Sequence, residues 1–147
     1  MATEGRTVAQ THLPSNFTHR LLWTLGAKDN KENNRFINAQ IRCEGGTAKW
    51  NPLNSTMRLS GSYSWTEEKN YNTTGVCNYR YGIAGVCATA LTFNLRDYQG
   101  NLLFPGLLAD FKAGTKTAEQ IVNDNIAEIK LWGTNPDLML QVLKSMP

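Results

Sequence analysis

Apolar positions recur every three to four residues along most of this chain, and one stretch near the middle breaks that rhythm with a spacing of two. A period near 3.6 keeps side chains on one face of a helix, and a period of two keeps them on one face of a strand. Phe17, Leu21, Leu22 and Leu25 share a helical face that opens after Pro14, with Ser15 or Asn16 as cap and Gly26 as stop. Beyond KDNKENN, a polar connector or a helix start, Phe36, Ile37 and Ile41 form a second apolar stripe. Gln40 and Glu44 continue it to the paired glycines 45 and 46, where the helix must end. Met57, Leu59, Tyr63 and Trp65 then follow at intervals of two around Gly61, which predicts a strand–turn–strand unit within Leu53 to Tyr71.

The rest reads as helix. In GVCNYRYGIAGVCATALTFNL, Ile83, Val86, Cys87, Ala90 and Leu91 predict a buried central helix, with Gly82, Ala84, Gly85 and Ala88 small enough to let neighbours come close. A segment near Leu102 to Lys112 is started or interrupted by Pro105. TAEQIVNDNIAEIKLW carries the capping-box pair Thr117 and Gln120, and NPDLMLQVLKSM places Pro136 at a first helical position after Asn135. The expected architecture is α+β: a mostly helical single domain over residues 15–147, with a small β-hairpin after the second helix and a flexible arm over 1–14.

Composition narrows what such a domain does. With 147 residues, 41% hydrophobic and 18% charged, the chain is one globular unit with a single proper core. A net charge of +3 suits an anionic polymer, a bacterial wall or a nucleic acid. There is no dense Lys/Arg cluster interleaved with aromatics, so nucleic acid is not an expected partner. No apolar run approaches the roughly 18 residues that span a bilayer, and no membrane partner is expected. The polar start MATEGRTVAQTH predicts no secretory signal and synthesis into a cytosol. Cys43, Cys77 and Cys87 form no CxxC pair and His12 and His19 both lie early, so neither a metal site nor a cofactor is expected, and the thiols read as free and buried.

Glu44 is the candidate for chemistry. A carboxylate that ends an apolar stripe loses water, which raises its pKa toward the range a general acid needs near neutrality. The structural alternative is a polar residue fraying at a helix C-terminus, where its charge opposes the dipole. Cys43 has no histidine in a recognisable partner position, so a cysteine-dependent amidase ranks last.

A helix ending in a carboxylate, a hairpin directly after it, and helices thereafter are the plan of lysozyme-like folds. EGGTAKWNPLNST, NYNTTGVCNYRYGIAGVCATALTF and AGTKTAEQIVNDNIAEIKLWGT together resemble a lysozyme-like family, muramidases and lytic transglycosylases, of actinobacteria and their bacteriophages. The likeness runs in order over residues 35–134. It departs in a longer hairpin, MRLSGSYSWTEEK, in Cys77 where a lysine is usual, and in Cys87 within a helix that normally has no cysteine. The resemblance implies cleavage of the peptidoglycan glycan strand, with Glu44 protonating the glycosidic oxygen. A second carboxylate is usual in glycosidases. The candidates are Glu67 and Glu68, with Asp97 more distant, and related transglycosylases work with one Glu and close an anhydro ring.

By the same resemblance Asn54, Ser55 and Thr56 line the floor beside the acid, although all three are also ordinary turn formers. Asn78 and Tyr79 stand at the entry of the central helix facing Glu44, unless Asn78 is merely its N-cap. Trp50 and Tyr71 stack on sugars or fill the core, and Trp132 is core. The implied partner is bacterial peptidoglycan. Deployment is either as an endolysin held in the host cytoplasm or as a virion component bound to phage tail proteins. The rival reading is a lysozyme-fold module without catalysis, serving structure or wall binding; it requires Glu44 to be tied up by a cation such as Arg42 or Lys49.

Overall fold

The computed structural model describes residues 16–60, 64–66 and 75–147. The proposed arm over 1–14, together with Gly61, Tyr63, Glu67, Glu68 and Tyr71, lies outside the described residues, as does the side chain of Trp65. Among the described residues the fold is mostly helical, with seven helices and one pair of short strands. Helices α1 (Phe17–Thr24) and α2 (Lys31–Glu44) come first. Strands β1 (Ser64–Thr66) and β2 (Cys77–Tyr79) follow, then α3 (Gly82–Phe93), α4 (Pro105–Ala113), α5 (Ala118–Asp124), α6 (Ile126–Trp132) and α7 (Pro136–Lys144). No helix among the described residues is long and apolar enough to cross a membrane.

The helix ends obey their local chemistry. The Asn30 side chain accepts from the Asn33 amide to start α2, and Gly45, at φ 59°, ends it. Thr117 and Gln120 complete the expected capping box, and Asn135 accepts from the Asp137 and Leu138 amides to start α7. The segment expected as one helix over TAEQIVNDNIAEIKLW is two, parted at Asn125 (φ −132°). That side chain turns inward to donate to the Ile121 carbonyl and to Asp110 at 2.8 Å each. At the start of α4 the Glu128 carboxylate accepts from the Gly106 and Leu107 amides, supplying the cap that Phe104 lacks.

Phe17, Leu21, Leu22 and Leu25 of the first helix and its end are buried as expected, and so are Phe36, Ile37 and Gln40 of α2. They meet Phe93, Leu107, Phe111, Ile121, Ile129 and Met139 in one core, with Phe111 set edge-on to Phe36 and Phe93 at 5.3 and 5.9 Å. Asn33, fully buried, donates to the Lys28 and Phe111 carbonyls and locks the start of α2 to α4.

Three further expectations are corrected: the inward face of α3, the burial of the Cys87 thiol and the strand pairing. In α3 the buried face is Ala84, Gly85, Val86, Ala88, Thr89, Ala90 and Phe93, while Ile83 and Leu91 are 62% and 50% exposed and Cys87 faces outward. Close backbone approach selects the small residues, not the large ones, for the inside. A Cβ on Gly85 would overlap the carbonyl oxygen of Trp50. The strand pairing also differs from the expected unit within Leu53–Tyr71. Ser64–Thr66 pairs antiparallel with Cys77–Tyr79, in register Trp65 to Asn78. Cys77–Tyr79 is buried throughout and so lacks the alternation that marks a half-exposed strand. Asn78 is therefore a strand residue; the N-cap position of α3 is Tyr81.

Candidate active site

Three segments converge on Glu44: the end of α2, the loop over residues 45–56, and the turn between α6 and α7. Gln40 and Glu44 are one helical turn apart, so the inward face of α2 delivers both to the same place. Gly45 stops the helix and Gly46 is enclosed by the loop's return. A Cβ there would stand 2.7 Å from the Asn51 carbonyl oxygen and 2.9 Å from Asn54 Oδ1.

Asn51, fully buried, organises that loop. It donates to the Ser55 and Cys77 carbonyls at 2.8 and 2.7 Å and accepts from the Ser55 amide at 2.8 Å. The backbone amides of Cys77 and Tyr79 donate to the Ser55 and Lys49 carbonyls, so β2 lies between β1 and the loop. The Asn78 Oδ1 accepts from the Lys49 amide at 2.8 Å. Trp50 and Asn54 take left-handed conformations, φ 58° and 57°. For a tryptophan that is an uncommon strain, held in place by the α3 backbone packed over it.

The turn after α6 is a Schellman arrangement. Gly133, at φ 102°, donates to the Lys130 carbonyl and Thr134 donates from its amide to the Ile129 carbonyl. This swings Thr134 inward, where it is 4% exposed. Trp132, just before, packs on Phe93 at 4.5 Å and donates from its indole nitrogen to the Leu53 carbonyl at 3.0 Å, pinning the loop beside Asn54.

Glu44 is half-buried and accepts from two neutral donors. Thr134 Oγ1 donates to Oε2 at 2.8 Å; Asn54 Nδ2 lies 3.3 Å from Oε1 and 3.2 Å from the Glu44 carbonyl oxygen. Burial pushes the carboxyl above the ordinary glutamate range, against the opposing pull of those two donors. No ion pair to Glu44 occurs among the described residues, and Arg42 is exposed. Cys43 beside it has its thiol raised by burial and by Glu44, which keeps it a poor nucleophile.

The remaining expected residues divide. Asn54 touches Glu44. Ser55 is 2% exposed and bonds Thr92 Oγ1 at 2.7 Å and the Met57 amide, so it holds the loop and offers nothing outward. Thr56 is exposed. Tyr79 is fully buried; its hydroxyl donates to the Met57 carbonyl at 2.7 Å, and burial drives its pKa strongly upward. It therefore supports the loop from beneath, away from the surface. Glu67, Glu68 and Tyr71 lie outside the described residues. Sequence reasoning gave no role to Thr134 or Gln40. Thr134 was present in the sequence only as the last residue of the WGT motif and as a hydroxyl residue after a helix-ending Gly, a pattern shared by many ordinary turns. Among the described residues no group of three or more His, Cys, Asp or Glu side chains could hold a metal ion.

Compared with protein-family models, with curated proteins and with solved structures, the chain matches none.

Proposed function

We propose that this protein cleaves the glycan strand of bacterial peptidoglycan between N-acetylmuramic acid and N-acetylglucosamine, with Glu44 as the general acid on a lysozyme-like frame. The observation that carries this reading is a carboxyl held half-buried by neutral donors, raised in pKa and without a cationic partner among the described residues. A structural carboxylate is ordinarily paired or solvated; a general acid must hold its proton near neutrality. The ordered motifs EGG, NPLNST, GVCNY and WGT and the net positive charge support the same reading, since the wall is an anionic polymer.

In the proposed reaction the Glu44 proton passes to the bridging oxygen as its bond to the anomeric carbon breaks. The carboxylate left behind faces the developing positive charge on the sugar ring. It then takes a proton from the attacking hydroxyl, which is either water or the sugar's own C6 hydroxyl, and the acid is restored. The partner is peptidoglycan, reached from a host cytoplasm or from a phage particle.

Digestion of purified glycan strands by the wild type and Glu44→Gln, read by mass spectrometry, tests this. The wild type is expected to release muropeptides and the variant to lose at least about a hundredfold in rate. Anhydro products assign the attack to the C6 hydroxyl, and reducing ends assign it to water. A wild type that binds the wall and releases nothing overturns the enzymatic reading in favour of a binding module, and equal rates in both proteins remove Glu44 from the chemistry.

A further inference from the structure

Fully buried Gln40 spends only half of its amide: Nε2 lies 3.4 Å from Thr134 Oγ1, and Oε1 has no hydrogen-bond partner among the described residues. A buried amide oxygen left unpaired is unfavourable and calls for a reason. Thr134 supplies one. A hydroxyl has one hydrogen to give and lone pairs to accept with. When Gln40 Nε2 occupies a lone pair of Thr134, the Thr134 hydrogen is left to point at Glu44 Oε2, 2.8 Å away. The two oxygens of Glu44 then differ. Oε2 is engaged by a short, oriented donor from the α6–α7 turn, whereas among the described residues Oε1 has only the Asn54 amide at 3.3 Å, shared with the Glu44 carbonyl oxygen.

We propose that Thr134, oriented by Gln40, is the positioning residue of Glu44: it holds Oε2 as a permanent acceptor and leaves Oε1 as the oxygen that carries and exchanges the proton. This rests on the reading of Glu44 as general acid, but its structural half stands apart from activity. Among the described residues the groups facing Glu44 are Thr134 from the α6–α7 turn, Asn54 from the loop and Cys43 beside it on α2; of these only Cys43 titrates. A hydroxyl donating to the carboxylate favours the charged form, so its removal raises the midpoint at which Glu44 titrates.

The test is NMR titration of side-chain carboxyl-labelled glutamate in the full chain, comparing wild type, Thr134→Val, Thr134→Ser and Gln40→Met, with Glu44→Gln to assign the signal. Thr134→Val is expected to raise the Glu44 midpoint by about one pH unit. Thr134→Ser should restore the wild-type midpoint. Gln40→Met should raise it in the same direction while leaving thermal stability equal or higher, because an unpaired buried oxygen has been removed. A purely structural Gln40 would move stability and not the midpoint. Where the wild type cleaves glycan, the basic limb of the rate profile should move upward with the midpoint in Thr134→Val. An unchanged or lowered midpoint in folded Thr134→Val overturns the proposal, as does a serine variant that fails to restore it. Should Thr134→Val not fold, an unchanged midpoint in Gln40→Met overturns it alone. A wild type that cleaves no glycan while the midpoints shift as expected sinks the enzymatic reading and leaves the orientation of Glu44 standing.

Discussion

Glu44 sits where two demands oppose each other, and that opposition is measurable without any substrate. Burial raises its carboxyl above the ordinary glutamate range in the folded chain. The folded state therefore binds the proton more tightly than the unfolded one, and stability falls as pH rises from the ordinary carboxylate range through the raised one. Glu44→Gln removes that penalty. The variant should match the wild type below about pH 4 and exceed it near neutrality by about 1 kcal/mol, read as a divergence of denaturant midpoints across a pH series. Asn54 separates two further effects at one position. Its left-handed backbone suits glycine but not alanine, whereas its amide donates to Glu44 in a way neither replacement can. Asn54→Ala should be less stable than Asn54→Gly by about 1 kcal/mol, while both shift the titration of Glu44 upward. The carboxylate on an apolar stripe was legible from residue spacing alone, whereas Asn54 as its neighbour was legible only through the family resemblance, since by itself it reads equally as a turn former. Thr134 was not, because its placement depends on a Schellman turn ninety residues away in sequence from Glu44, and no local pattern encodes that meeting.

At the scale of elements, the decisive contact is α3 against the loop, where helix backbone lies on the Trp50 carbonyl with no room for a side chain. Gly85→Ala forces helix and loop apart, and the loop carries Asn54. It should lower stability by about 2 kcal/mol or more and reduce glycan cleavage with it, whereas Ala84→Gly on the same face should leave the loop seated; thermal melts and the digestion assay check both. The same contact explains how helix α3 was readable while its face was not. Large apolar residues are the usual mark of an inward face, but here inwardness is set by how near two backbones come, which admits glycine and alanine and leaves Ile83 and Leu91 outside. Strand β2 was hidden for another reason: it is three residues long and buried throughout, polar Asn78 included, too short for an alternating pattern to register.

The whole molecule divides its burial unequally. The main core gathers every helix, while Cys77, Tyr79, Ala84 and Ala88 make a small second cluster with Trp50, Met57 and Leu59 under the loop. Regions with little apolar support open more readily than the body they sit on. Native-state hydrogen exchange should find the Cys77 and Tyr79 amides, bonded to the Ser55 and Lys49 carbonyls, exchanging at least about tenfold faster than amides of central α2 and α5. Equal rates would mean that the loop and the helical body unfold as one. The helical architecture and most caps were legible because they rest on local spacing, and the convergence of three segments on Glu44 was not, because it is a property of packing. The three thiols are distributed across these same regions. Cys77 is buried and Cys43 partly buried, both with thiols pushed upward by burial, and Cys87 stands in the open on α3. A maleimide dye at neutral pH should thus mark Cys87 first, giving a handle for tethering or imaging the protein while its carboxyl, loop and turn stay untouched.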